Sequence, residues 1–144
     1  MLIRPAILVD IPAILHLYET VLDKNDVLTI EQAEIHFNKM MSYPNYNVYV
    51  AENEANVVGT FALLIMDNLA HQGKPSGIVE DVVVAETYQN QGIGKAMMAY
   101  ALEVCKTYGC YKMVLSSNLV RTDAHAFYEY LGFEKYGFSY RINF

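Results

Sequence analysis

The segment IVEDVVVAETYQNQGIGKAMMAY, residues 78–100, decides the fold more than any other part of the chain. Residues 78–85 are apolar except for Glu80 and Asp81, which predicts a buried β-strand. A short turn with two glycines follows, and residues 92–108 have the apolar spacing of an amphipathic helix. Backbone N–H groups and the helix dipole both attract anions at such a helix start. The segment therefore predicts a phosphate-binding site.

Two other phosphate-binding motifs are excluded by single residues. A Walker loop requires Ser or Thr after Gly-Lys, and Gly94-Lys95 is followed by Ala96. The dinucleotide fingerprint G-x-G-x-x-G requires a third glycine, and Met97 occupies that position. A glycine turn that binds no ligand remains an alternative for this segment taken alone.

Composition predicts a single globular domain over residues 1–144. The 144 residues are 53% hydrophobic and 18% charged, and no apolar run reaches the roughly 20 residues of a membrane span. The net charge of −6 disfavours binding to nucleic acid. Cys105 and Cys110 have neither a metal nor a disulfide spacing, which favours reduced thiols in a cytoplasmic protein. No group of His, Cys and carboxylates has metal-ligand spacing, so no metal is expected.

Turn and capping signals divide the chain into alternating elements. Asp10 is expected to cap the first helix, and Thr29 with Gln32 forms a capping box for the second. Gly109 and Gly132 mark the ends of the last two helices. The predicted order is strand 2–5, helix 10–21, helix 29–42, strands 47–52 and 57–66, loop 67–77, strand 78–85, helix 92–108, strand 111–117, helix 122–131, and one or two closing strands within 133–143.

Two motifs and this element order resemble the GNAT superfamily of N-acyltransferases. Residues 89–94, QNQGIG, are similar to the family's pyrophosphate loop, Q/R-x-x-G-x-G/A. Residues 124–133, AHAFYEYLGF, are similar to its pattern A-x-x-x-Y-x-x-x-G-F. The resemblance implies an α+β fold: a mixed, mostly antiparallel sheet of six to seven strands, flanked by four helices and splayed between strands four and five.

The resemblance also implies acetyl-CoA as cofactor. The backbone of residues 89–95 would wrap the pyrophosphate, and the backbone of residues 82–84 would bond the pantetheine arm like an added strand. One of these strand N–H groups, from Val83 or Val84, would polarise the acetyl carbonyl. The implied cofactor-binding residues are Val82, Val83, Val84, Gln89, Asn90, Gln91, Gly92, Ile93, Gly94, Lys95, Asn118 and Tyr128.

Tyr128 is the candidate partner of the leaving thiolate. It occupies the tyrosine position of the family pattern, followed by Gly132-Phe133 in the family register. A phenol with a pKa of about 10 can give a proton to a thiolate of similar basicity. A packing role is the alternative, because the chain has 12 tyrosines.

Glu80 and Asp81 are the candidate general bases. Carboxylates inside an apolar strand are costly without a role or a partner, and alternation would send these two to opposite faces. Glu80 matches a glutamate that the family often places on this strand, for proton relay or amine binding. Asp81 is the second candidate, and a structural pairing with Arg121 or a backbone amide is the alternative for either.

Three further polar residues are candidates for substrate contact, beside Glu80. The family usually has asparagine seven residues before its tyrosine; here that position is Arg121, and Asn118 lies three residues earlier. Arg121 is suited to a substrate carboxylate or phosphate. His125 precedes Tyr128 by one helical turn, and His71 lies in the loop before the strand predicted over residues 78–85. Ordinary polar positions are the alternative for all three.

These observations predict an enzyme that transfers acetyl directly from acetyl-CoA to a primary amine of a small molecule, such as an amino sugar or an aminoglycoside-like compound. Residues 79–112 look especially like glucosamine-6-phosphate N-acetyltransferases. A non-catalytic acyl-CoA-binding or sensing domain and a peptide or protein N-acetyltransferase are the alternatives. We expect a small-molecule partner and neither a membrane nor a nucleic-acid partner. The chain could also form a homodimer.

Overall fold

The computed structural model describes residues 1–24 and 26–143. The strands are β1 (Leu2–Pro5), β2 (Tyr46–Asn53), β3 (Asn56–Met66), β4 (Ser76–Val84) and β5 (Lys112–Leu115). The α-helices are α1 (Ile11–Leu17), α2 (Ile30–Met41), α3 (Ile93–Thr107) and α4 (Thr122–Tyr130). A π-helical turn, Tyr18–Leu22, extends α1, and a 3₁₀ turn, Leu8–Asp10, precedes it. Within the described ranges, none of these helices has the length and apolar character that a membrane crossing requires.

The chain forms two compact units, residues 1–114 and 115–144. The sheet has the order β1-β2-β3-β4-β5; β1 to β4 pair antiparallel, and β5 runs parallel to β4. This mixed sheet with its four α-helices confirms the predicted fold class. The start of β5 lies beside the start of β4, since the Tyr111 N–H donates to the Pro75 carbonyl at 3.0 Å. With only four residues, β5 flanks the first part of β4 and not its far end.

Buried side chains cover both faces of the central strand β3. Alternation sends Ala62 to one face, where it joins the core cluster that includes Ile14 of α1 and Phe37 of α2. It sends Gly59 to the other face, against Met97 of α3. Helices α1 and α2 therefore pack on one side of the sheet and α3 on the other.

Two glycines let α3 approach the sheet closely. A Cβ on Gly59 would lie 2.8 Å from the Met97 sulfur and 3.1 Å from the Val83 carbonyl oxygen. A Cβ on Gly77 would overlap Cys105 Sγ. The Cys105 thiol is buried, and burial raises its pKa to about 12, so that it packs as an uncharged group. At these two glycines, α3 therefore packs directly against the backbone of β3 and β4.

The predicted role of Asp10 as a helix cap needs correction. Asp10 precedes α1, but its side chain does not cap that helix. Its two oxygens instead accept from Arg4 at 2.7 and 2.9 Å, and one also accepts the Ile7 N–H at 2.8 Å. The hydrogen bond from Arg4 lowers the pKa of Asp10 below its usual range. Arg4 also contacts Glu52 of β2 at 2.9 Å. Through Arg4, the buried carboxylate of Asp10 therefore connects the start of α1 to the sheet.

Other boundaries agree with the sequence analysis. The capping box is present, because the Gln32 N–H donates to Thr29 and the Thr29 N–H donates to Gln32. Gly109 and Gly132 have the positive φ of 69° and 90° expected of residues that end helices.

The one or two closing strands predicted within residues 133–143 are absent from the described structure. These residues follow α4 without regular hydrogen bonding, and the sheet has five strands rather than six or seven. Alternating apolar residues indicate a strand only if a partner strand satisfies the backbone. The alternating apolar side chains in this segment are instead exposed: Tyr136, Phe138, Tyr140 and Ile142.

We expect Gly77→Ala to lower the free energy of unfolding by about 1–3 kcal/mol, because the added methyl group overlaps Cys105. The companion variant Cys105→Ala removes the overlapping sulfur and leaves a small cavity. Urea denaturation of the single and double variants checks the geometry. The double variant should be more stable than the sum of the two single effects predicts. Simple additivity would show that the two residues do not meet.

Candidate active site

The loop between β4 and α3 is held in shape by its own side chains. The Gln89 amide donates to the Val84 carbonyl at 3.1 Å, and the Gln91 amide donates to the Thr87 carbonyl at 2.9 Å. Asn90 and Gly92 have left-handed backbones, with φ of 60° and 83°. The side chains of Gln89 and Gln91 therefore order the loop, and leave its backbone as the surface that a ligand meets.

The start of α3 has the features of an anion site. Gly92 occupies the N-cap position, no side chain among the described residues caps the helix, and its first turn contains no acidic residue. The first helical hydrogen bond runs from the Ala96 N–H to the Gly92 carbonyl. A Cβ on Gly92 would meet no atom within 4 Å, so open space lies beside this N-cap residue. A pyrophosphate fits this arrangement of donors, space and dipole.

A β-bulge interrupts β4 at the two candidate bases. Ala62 is opposite Glu80 and Thr60 is opposite Val83, so two steps along β3 match three along β4. Asp81 has a left-handed backbone with φ of 53°, which is uncommon for a residue other than glycine. Strict alternation therefore does not hold between Glu80 and Asp81. The prediction of buried carboxylates is wrong, because the side chains of Glu80 and Asp81 are both exposed. The bulge breaks the regular pleat and so turns these side chains away from the core.

The two carboxyl groups have raised pKa values. Partial loss of hydration raises the pKa of Glu80, and the neighbouring charge of Asp81 raises it further. The pKa of Asp81 is raised by loss of hydration and then by the charge of Asp23. A raised pKa makes each carboxylate a stronger base than a free one, which suits proton removal from an ammonium group.

Two tyrosines beside these carboxylates were not singled out by the sequence analysis as site residues. Burial, followed by the charge of Asp81, raises the pKa of Tyr18; burial and both strand carboxylates raise that of Tyr46. Both phenols therefore stay protonated near neutral pH, as neutral polar groups beside Glu80 and Asp81.

The position of Tyr18 depends on the π-helical turn that it begins. The Thr20 hydroxyl donates to the His16 carbonyl at 2.7 Å within this turn. The apolar spacing of residues 11–22 predicts only a continuous helix, so the sequence carried no signal for the turn. Turns of this kind occur often at functional sites.

His71 lies on the same unit, in the loop before β4. Its ring stacks on that of Tyr111, with centroids 4.1 Å apart. The backbone is left-handed at His71 and Gln72, with φ of 53° and 62°. The loop thus presents His71 in a defined position against an aromatic partner, rather than as a freely moving side chain.

The remaining candidates lie on the unit of residues 115–144. Asn118 organises the turn before α4: its carbonyl accepts the Arg121 N–H at 3.0 Å and lies 2.9 Å from the His125 ring nitrogen Nε2. The His125 ring therefore has a structural partner. Arg121 is exposed at the N-cap of α4. The half-buried Tyr128 ring packs edge-on against Phe133 at 5.6 Å, which fixes the ring in place.

Known proteins are similar to this chain in sequence and in fold. The acetyltransferase (GNAT) family model matches residues 12–133. The glucosamine 6-phosphate N-acetyltransferase of Trypanosoma brucei brucei is 32% identical over 96 residues, 67% of this chain and 63% of that protein. The aminoalkylphosphonate N-acetyltransferase of Salmonella typhimurium is 31% identical over 97 residues, 67% of this chain and 62% of that protein.

A solved structure from Agrobacterium tumefaciens, named provisionally as an acetyltransferase, has a TM-score of 0.94 and 32% identity over 99% of both chains. The chain therefore spans less than two thirds of the length of the two enzymes named above, but nearly the whole length of the Agrobacterium tumefaciens protein.

We expect Gly92→Val to weaken coenzyme A binding by roughly 100-fold or more, about 2.7 kcal/mol, because the side chain fills the space in front of the helix start. Gly109→Val is the matched control. It imposes a similar backbone strain at the other end of α3, where a Cβ also meets nothing. Calorimetry of both folded variants measures the difference, and equal affinities would contradict the assignment of this helix start.

Proposed function

Because the chain belongs to the acetyltransferase (GNAT) family, we propose that it transfers the acetyl group of acetyl-CoA to a primary amine of a small molecule. The observation that carries the proposal is the uncapped start of α3, which follows a strand with two carboxylates of raised pKa. The names of the two enzymes reported above state that they acetylate small amines. We place the protein in the cytoplasm, since Cys105 and Cys110 are both free thiols.

We propose that residues 89–95 hold the pyrophosphate of acetyl-CoA through their backbone N–H groups. The backbone of Val82–Val84 is assigned to the pantetheine arm, because β5 is too short to flank this end of β4. Asn118 is a further proposed contact. When bound, acetyl-CoA supplies an activated thioester, whose carbonyl a strand N–H from Val83 or Val84 polarises.

Glu80 is the proposed general base. Its carboxylate accepts a proton from the incoming ammonium group, directly or through one water, so that the neutral amine can attack. Asp81 raises the pKa of Glu80, and the protonated Tyr18 and Tyr46 offer neutral polar contacts to the amine. Asp81 itself remains the second candidate for the base.

Tyr128 is the proposed proton donor to the leaving thiolate, because a tyrosine hydroxyl can donate a proton to a thiolate and its ring is fixed against Phe133. Arg121, His71 and His125 are proposed to contact the acceptor, an amino sugar or a compound of aminoglycoside type. Arg121 is suited to an anionic acceptor group, being an exposed guanidinium at a helix start.

We also propose a homodimer. The apolar residues at alternate positions of the C-terminal segment are each more than 80% exposed, an unusual arrangement for a surface in water. A second copy of the chain would cover them. Sedimentation equilibrium measures the mass directly.

Thiol release from acetyl-CoA, measured against a panel of amino sugars, aminoglycosides, polyamines, amino acids and peptides, tests the function. Release with small amines supports the proposal, and release with peptides alone would make the protein a peptide acetyltransferase. Binding of coenzyme A without release for any amine would make it a binding domain.

We expect Glu80→Gln to slow turnover about 100-fold or more and to remove the fall in rate that protonation of Glu80 causes at low pH. Asp81→Asn should shift this acidic limb to lower pH, because the charge that raises the pKa of Glu80 is lost. Profiles of kcat/KM against pH for both variants check this. If Asp81→Asn is inactive while Glu80→Gln is not, the roles are reversed.

Tyr128→Phe should leave coenzyme A affinity unchanged and reduce kcat by roughly 10- to 1000-fold, as expected for the loss of a proton donor. Tyr130→Phe, on the same helix and 76% exposed, is the control and should keep the parent rate. Equal rates for both variants at every pH would assign the proton to water or another residue.

A further inference from the structure

A cavity of about 250 Å³ lies beside the first half of β4, within the unit of residues 1–114. Its walls come from the end of β3, the loop before β4, the start of β4, and β5. The lining residues that matter here are Asn68, His71, Ser76, Ile78, Tyr111 and Lys112. The surface between the polar groups is mostly apolar, which is typical of a small-molecule site with a few orienting contacts.

Asn68, one of the lining residues, has an unsatisfied buried acceptor. Its amide nitrogen donates to the Lys74 carbonyl at 2.6 Å, which fixes the orientation of the amide. Its oxygen Oδ1 is buried and has no hydrogen-bond partner among the described residues. A buried acceptor without a donor costs about 1–3 kcal/mol, so this atom is suited to a hydroxyl or N–H group from a ligand.

Lys112 and Tyr111, which also line the cavity, place a positive charge near an aromatic ring. Lys112 places its Nζ 5.2 Å from the centroid of the Tyr111 ring. The other aromatic contact of Tyr111 is the stacked ring of His71. The Lys112 ammonium group at a mostly apolar cavity matches a ligand that has an apolar face and an anionic substituent.

The cavity is aligned with the proposed base. Ser76, Ile78 and Glu80 are alternate residues of β4 before the bulge and share one face of the sheet. Glu80 is two residues beyond Ile78, which corresponds to about 7 Å along a strand. An acceptor whose amine lies at Glu80 therefore extends its other end over Ile78 into the cavity.

We infer that this cavity binds the end of the acceptor opposite its amine, and that the acceptor is a hydroxylated amine with a phosphate, phosphonate or carboxylate group. Lys112 pairs with the anionic group, Asn68 Oδ1 accepts from a hydroxyl, and Tyr111 and Ile78 contact the carbon skeleton. The inference rests on the proposed function, because it assigns the acceptor side of the same site.

Binding measurements separate this inference from catalysis. Glucose 6-phosphate has the hydroxyl groups and the anion but no amine, so it binds the cavity without being acetylated. We expect calorimetry to detect it in the presence of coenzyme A and to detect glucose at least about tenfold more weakly. Lys112→Met should weaken glucose 6-phosphate binding by 10- to 100-fold and leave glucose binding unchanged.

Two variants control for charge and shape. Lys106→Met removes the same charge from the exposed face of α3, where Lys106 pairs with Glu103, and should bind glucose 6-phosphate as the parent does. Ala70→Phe places a ring in the cavity from an exposed loop position and should weaken both sugars together.

Kinetics complete the test. Lys112→Met should raise the KM for glucosamine 6-phosphate by 10- to 100-fold, with an unchanged kcat and an unchanged KM for glucosamine. If the parent acetylates amines but shows no preference for anionic ones, the inference is overturned and the proposed function stands. Loss of the preference in Arg121→Ala, but not in Lys112→Met, would also overturn it. No thiol release with any amine would refute the proposed function, whatever the cavity binds.

Discussion

The close approach of α3 to the sheet is the constraint on which the candidate site depends. Gly59 and Gly77 leave room for Met97 and Cys105, so the helix lies directly against the backbone of β3 and β4. The loop from residue 85 to 92 must then lead from the end of β4 to a helix already placed beside it. This fixes the uncapped helix start near the strand that carries Glu80 and Asp81. Side chains at either glycine would move the helix, and its N-terminus with it.

Departures from regular geometry surround the two carboxylates. The bulge in β4 adds Asp81 in a left-handed conformation, and the π-helical turn after α1 begins with Tyr18. Each departure costs conformational energy, of order 1–3 kcal/mol for a left-handed residue other than glycine. They bring the carboxylates close enough to the phenols to raise the pKa values of Tyr18 and Tyr46, beside the larger effect of burial. Regular elements would have placed Glu80 and Asp81 on opposite faces and left Tyr18 on an ordinary helix.

The sequence was sufficient where local chemistry decides the structure. The capping box of Thr29 and Gln32, the two consecutive strands β2 and β3, and the glycines that end α3 and α4 depend on neighbouring residues, and each was predicted correctly. Local patterns failed where a distant partner decides. Asp10 has the position of a helix cap, but its oxygens accept from Arg4 and not from the N–H groups of α1. The alternating residues after Gly132 have the pattern of a strand, but no neighbouring strand pairs with them in the described structure.

The sequence by itself determined the fold class, the order of the elements from β1 to α4 and the glycine turn before α3, because periodicity, glycine positions and caps act over a few residues. It also indicated Glu80, Asp81 and Tyr128 as candidates, through residue type and through the motifs that surround them. Only the tertiary structure revealed the bulge, the π-helical turn with Tyr18, and the cavity that brings Asn68 together with Lys112. These features arise from contacts between residues tens of positions apart. Their energies depend on packing and on lost hydration, neither of which a single stretch of sequence specifies.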